Sequence, residues 1–289
     1  MELFRALGAL AEPPGPEQYR LGTVLGLPGR PDPAEYTELF LFQMYPYASI
    51  YMGAEGMLGG EAADRVAGFW RAMRRPPPPE PDHLAALLGL YAALDEAERD
   101  EPEAARAVLW RQARKALLWE HLACWLFPYL ARLAQIAPPF YRAWADLLEE
   151  AVRREVGELG PADALPLHLR EAPLLPDPRE EGLETFVQGL LAPVRSGMVV
   201  TRADLARAAR QMDLGLRMGE RRFILKSLFA QDAARMLAWL KEEALWWAEW
   251  HHEQEATLGE VATFWAGRAG AAAALLAELD PAARQITYA

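Results

Sequence analysis

Apolar residues recur along this chain at intervals of three and four, while the alternating pattern of a strand is almost absent. Tyr36, Leu39, Phe40 and Phe42 open a helix that breaks at Pro46, and Ala62, Val66, Phe69, Trp70 and Met73 form an amphipathic stripe ending before Pro76. A second block starts near Asp82 with Leu84, Leu87, Leu88, Tyr91 and Leu94. It continues through a helix from about Pro102 to Trp119, then Leu122 to Leu133, and closes with Tyr141, Trp144, Leu147, Leu148 and Val152. Farther on, the pattern predicts helices over 183–191, 201–212, 219–229, 231–255 and 258–279, with the Thr201/Asp204 spacing of a capping box. The fold class is therefore all-α, a helical bundle.

Prolines and glycines punctuate that pattern. Residues 1–33 read as a loosely structured arm. The run Pro76-Pro77-Pro78-Pro79 cannot enter a helix, because each ring lacks an N–H and restricts the residue before it. It predicts an extended hinge at about 75–82 inside a core spanning 1–156. Residues 157–182 have linker composition, and 183–289 form a helical extension.

Composition narrows the class. Of 289 residues 52% are hydrophobic, enough for a sizeable core, and the net charge of -11 argues against nucleic acid and toward cationic partners. Cys124 is the sole cysteine, which excludes an internal disulfide and fits a reducing compartment. No secretory leader and no membrane span are visible, so a cytoplasmic location and no stable membrane insertion are expected.

Catalytic chemistry finds little support. The glycines at 53, 56, 59 and 60 lack a preceding strand and a Gly-Lys-Ser/Thr, and read as a turn between helices. Cys124 sits among Leu122, Trp125, Leu126 and Phe127, surroundings that keep a thiol inert. The alternative to a binding protein is a metal-containing bundle, a di-iron-like oxidase or sensor. Glu80-Pro81-Asp82-His83 and Glu249-Trp250-His251-His252 both carry Glu-x-x-His, with Glu55, Glu120 or Glu149 as conceivable bridges. Against it, Glu80 lies between prolines at a helix edge, and His251-His252 reads as a solvated helix end. Partner recognition fits better: Asp82 and His83 stand on the hinge, and Tyr45-Pro46-Tyr47-Ala48-Ser49 and Glu120-His121 with Trp125 add aromatic and charged groups.

The ordered set of motifs over about 36–156 resembles the TorD/DmsD/NarJ-like chaperones of molybdoenzyme assembly. Tyr45-Pro46-Tyr47-Ala48-Ser49, Glu55-Gly56-Met57-Leu58-Gly59-Gly60, Pro81-Asp82-His83-Leu84, Glu120-His121-Leu122 and Pro139-Phe140-Tyr141 follow in the family's order. The resemblance implies a chaperone with no enzymatic activity, no catalytic residue, no metal and no cofactor of its own. It implies as partners a molybdopterin oxidoreductase catalytic subunit and its twin-arginine leader peptide, held while the molybdenum cofactor is inserted and before export. The signal-peptide-binding surface it implies comprises Tyr45, Pro46, Ser49, Asp82, His83, Glu120, His121 and Trp125. It leaves open a homodimer by helix exchange across the hinge. The extension beyond residue 182 departs from the family's usual length, although Gly219-Glu220-Arg221-Arg222 resembles the tail of some members.

Overall fold

The structure is a computed structural model and describes residues 2–280; positions 281–289 of the predicted extension lie outside the described residues. The all-α expectation holds: among the described residues there is no β-strand, only one isolated antiparallel bridge between Tyr47 and His83. The chain divides into two compact units. One comprises Met1–Ser49 and Leu58–His168, the other Ile50–Met57 and Leu169–Ala289.

In the first unit the helix Leu84–Asp100 is central, packed by the helices Glu2–Ala9 and Ala104–Leu117. Leu84, Leu87, Leu88, Tyr91 and Leu94 are fully buried, the stripe that the spacing predicts. Here the reading of residues 1–33 as an arm is corrected. Glu2–Ala9 and Pro16–Val24 are helices, with Phe4 and Leu7 buried and the Trp144 indole N–H donating to the Leu7 carbonyl at 2.9 Å. Pro13, Pro14 and Gly15 separate these helices rather than dissolve them.

Two stretches wind as π-helix, Thr37–Gln43 and Leu118–Ala123. The second lies between Ala104–Leu117 and Cys124–Ile136, and the latter tolerates Pro128 in its interior. Such wide turns are rare and rotate the following side chains relative to a plain α-helix. The helix Pro139–Leu159 starts on a proline, where the missing N–H costs nothing.

The second unit is built on the paired helices Ala233–Glu253 and Glu260–Leu279, joined through the short turn Glu255–Leu258. Small residues let them approach: Ala244, Ala269, Ala272 and Ala273 are all buried. Gly197 lies against the second of them with φ +73°, and a Cβ there would meet the backbone nitrogen of Ala269 at 2.2 Å, so only glycine fits. Thr201 and Asp204 close the predicted capping box, Thr201 Oγ1 accepting from the Asp204 N–H at 3.1 Å. The stretch 169–178 is ordered and packed, since Arg268 donates to the Ala172 and Pro173 carbonyls and Arg195 to that of Leu174.

Ile50–Met57 joins this unit from far upstream in sequence. Glu55 accepts from Gln188, and Gly56 sits at φ +60° where a Cβ would meet the Ala192 Cα at 2.8 Å. No helix among the described residues is long and apolar enough to cross a membrane.

Candidate functional site

The proline hinge begins where the helix Gly60–Ala72 stops, and it runs extended to Pro79. Past it the chain returns to the Tyr45–Ser49 segment and is tied there by two backbone bonds, Ala48 N–H to the Asp82 carbonyl at 3.0 Å and Leu84 N–H to the Pro46 carbonyl at 2.8 Å. Side chains tighten the junction. The Asp82 carboxylate accepts from the Ser49 N–H at 3.0 Å, satisfying an otherwise unpaired donor at the start of the helix Ala48–Met52. Ser49 Oγ accepts from the Gly59 N–H at 3.0 Å, and His83 Nδ1 accepts from the Ala85 N–H at 3.1 Å as the N-cap of Leu84–Asp100. Because Nδ1 accepts, neutral His83 carries its proton on Nε2.

Four of the eight residues singled out from sequence, Pro46, Ser49, Asp82 and His83, thus meet in one junction. Burial sorts them. Asp82 is 3% exposed and Ser49 fully buried, whereas His83 is half-buried with Tyr45 beside the same segment. Burial pushes the His83 imidazole below its usual range, with Glu80 and Asp82 pulling the other way. The Tyr47 ring stands edge-on to His83 at 4.8 Å. Its phenol is hydrogen-bonded to Glu80, and burial, then Glu80, raises its pKa.

Tyr47 and Glu80 belong to the surface but were not singled out as members of it. Both lie inside the same two motifs, and Pro46 is the buried centre of a tight turn closed by the Tyr47 N–H on the Tyr45 carbonyl at 3.0 Å, which leaves the two tyrosines half-buried on either side of it. Glu80 is exposed and, among the described residues, paired with no cation. Leu41 and Phe42, just before this segment on the π-helix Thr37–Gln43, are exposed at 47% and 43%.

Trp125 is completely buried beneath. Its indole N–H donates to the His121 carbonyl at 2.8 Å and its ring packs on Tyr129, whose hydroxyl donates to the Met44 carbonyl at 3.3 Å. Trp125 therefore supports the Tyr45 segment from inside the core and presents nothing outward.

Glu120 and His121 are engaged elsewhere. Glu120 accepts from the Leu167 N–H at 2.9 Å, and His121 packs edge-on against Phe69 at 5.2 Å and His168 at 5.9 Å. Burial, reinforced by His168, lowers the His121 pKa to about 3, so the ring is neutral. No hydrogen bond or ion pair joins this pair to Asp82 or His83.

Cys124 is buried, its Sγ–H donates to the Glu120 carbonyl at 3.2 Å, and burial raises its pKa, so this thiol stays protonated. No three His, Cys, Asp or Glu side chains converge as metal ligands among the described residues. Of the two Glu-x-x-His sequences, one has His83 Nδ1 committed to a helix cap. In the other His251 is buried and stacked between Trp247 and Trp265, which corrects the expectation of a solvated end, while His252 is exposed and pairs with Glu255. The surface offers instead a carboxylate, a phenol, an imidazole and exposed apolar side chains on rigid backbone.

No curated protein and no solved structure matches the chain. A family model does, over residues 33–131, the stretch that holds the whole junction together with Glu120, His121 and Trp125. It is described as the nitrate reductase delta subunit, so this segment is similar to the NarJ/TorD-type family of molybdoenzyme assembly chaperones.

Proposed function

We propose that this chain is a cytoplasmic chaperone that binds the twin-arginine leader and the apo form of a molybdenum-cofactor oxidoreductase during cofactor insertion and before export. The family supplies the coarse role, maturation of a redox enzyme by a protein that is not itself catalytic. The observation that carries the finer reading is the exposed Glu80 carboxylate, hydrogen-bonded to Tyr47 but facing no cation among the described residues, on a doubly hydrogen-bonded junction with His83. A leader of this kind presents two guanidinium groups followed by an apolar stretch. A carboxylate takes a guanidinium in a forked, charge-assisted pair, aromatic faces accept the second, and exposed Leu41 and Phe42 suit the apolar part.

The eight residues then divide by task. Tyr45 and His83 meet the peptide with Tyr47 and Glu80; Pro46, Ser49, Asp82 and Trp125 hold that face in place. Glu120 and His121 anchor the Leu167–His168 segment. Titration calorimetry with a synthetic leader tests this directly. The paired-arginine peptide should bind, its double-lysine version about tenfold more weakly, and Glu80→Gln should remove much of that preference while leaving the fold intact. Equal affinity of both peptides for the wild type would overturn the reading.

A further inference from the structure

The second unit has a concave apolar surface whose charge is opposite to the one a cationic leader requires. After the helix Arg202–Gln211 the chain turns at Asp213, a non-glycine residue at φ +52°, and runs as a loop to the helix Arg221–Gln231. Gln231 grips that loop from both sides: its Oε1 accepts from the Gly215 N–H at 2.8 Å and its Nε2 donates to the Gly215 carbonyl at 2.9 Å. Held in this way, the loop forms one wall and the helix the other. Between them is a groove of about 730 Å³ lined by Gly215, Leu216, Arg217, Phe223, Lys226 and Gln231 among others. That volume lies in the range of ligand clefts.

Its apolar residues stand open. Leu216 and Phe223 are 45% and 48% exposed, and the adjoining Met218 is 81% exposed. Scattered exposed apolar side chains are ordinary, but three around one concavity mark a docking surface. The charge around them points to the occupant. Arg217 has no ion pair among the described residues, and Lys226 and Arg222 share the single carboxylate of Glu184. In a chain of net charge -11 the lining of this groove holds two cations, Arg217 and Lys226, and no carboxylate, although Asp213 and Glu220 lie at the ends of the loop. A basic leader would be repelled here, so the groove is a different site from the junction described above.

We propose that this groove docks an acidic amphipathic helix of a protein partner, its apolar side chains seated on Leu216 and Phe223 and its carboxylates paired with Arg217 and Lys226. Helix-in-groove recognition has these requirements, an apolar floor and a few charges at the rim. Fluorescence anisotropy with the full-length chain tests the proposal, using a labelled helical peptide of leucines and glutamates and a counterpart with lysines in place of the glutamates. The acidic peptide should bind saturably with a roughly micromolar Kd and the lysine peptide at least about tenfold more weakly. Arg217→Glu combined with Lys226→Glu should cost the acidic peptide a similar factor, and Phe223→Ser should weaken it while circular dichroism stays unchanged.

Equal binding of the two peptides, or full affinity after the double charge reversal, would overturn the proposal. So would a dimer in sedimentation that Phe223→Ser dissociates without any peptide binding, which would assign the groove to a second copy of the chain. Leader titrations on the same variants keep the two readings apart. Lost leader selectivity with intact acidic-peptide binding counts against the function proposed above and leaves the groove standing.

Discussion

The polar centre of the first unit is a hub of charges, whereas that of the second is a stack of neutral rings. In the first, Arg114 is 2% exposed and lies at the centre of a ring of acids from two neighbouring helices: Asp95 at 2.5 Å, Glu98 at 3.1 Å, Glu155 at 3.2 Å and Glu158 at 3.1 Å, with the Tyr91 hydroxyl donating to Glu155 at 2.6 Å. In the second, the largest buried polar side chain is neutral, while the buried Asp204 carboxylate serves a helix cap. His251 lies between the Trp247 and Trp265 rings at 5.2 and 5.7 Å, within 26° of parallel to each, and its Nε2 is 3.0 Å from the Gly197 carbonyl. An ionic hub is stable only while every member is present, because a lone charge left behind is costly. A neutral stack depends on shape and on the ring staying uncharged.

The comparison can be broken at its most vulnerable point by Arg114→Ala. Uncompensated carboxylates would then remain inside the first unit, and a loss of about 3–5 kcal/mol is expected, read as a lowered denaturant midpoint. Next in size is His251→Ala, which leaves a void between two indoles and the Gly197 carbonyl unpaired. It should cost about 2–3 kcal/mol, with a shift in tryptophan emission as the stack opens.

A titration sharpens the contrast. Burial holds the His251 pKa at about 4, below its unfolded value near 6.5, so the unfolded chain takes up the proton first. The stability gained by keeping it neutral is complete above roughly pH 6.5 and drains away as pH falls toward 4, at up to about 1.4 kcal/mol per pH unit. His121 in the first unit has the same sign. His251→Phe retains an aromatic ring but no titration, so the acid-side fall in Tm should become shallower than in the wild type. An equally steep fall would remove His251 from the account. The smallest effect expected is for Arg154→Ala, whose exposed pair with Glu150 belongs to neither interior; thermal unfolding should move by less than about 0.5 kcal/mol.

Periodicity made most helices legible, and the reason is visible in Leu84, Leu87, Leu88, Tyr91 and Leu94, a stripe whose burial depends only on the element's own spacing. The N-terminal helices were obscured by composition, since Pro13, Pro14, Pro16 and Gly15 outweighed the short stripe Phe4, Leu7 and Leu10. His251 was obscured by its neighbours. Glu249 and Glu253 point to solvent, and the spacing of four from Trp247 was the better guide to where the imidazole goes.

At the junction the acid and the imidazole of Asp82-His83 could be picked out from local sequence. Their tasks could not, because the donor bound by Asp82 is Ser49, and nothing local announces a bond to so distant a segment. The π-turn at Leu118–Ala123 has no comparable signature either, and it contains Glu120 and His121.

The segment Ile50–Met57 gives the molecule an order of assembly. A ribosome releases it early, yet the residues that cover it, Gln188 and Ala192 among them, are made much later. A chain that stopped at residue 168 would supply neither partner, so the bond at Glu55 and the close fit at Gly56 can form only after the later helices have left the ribosome.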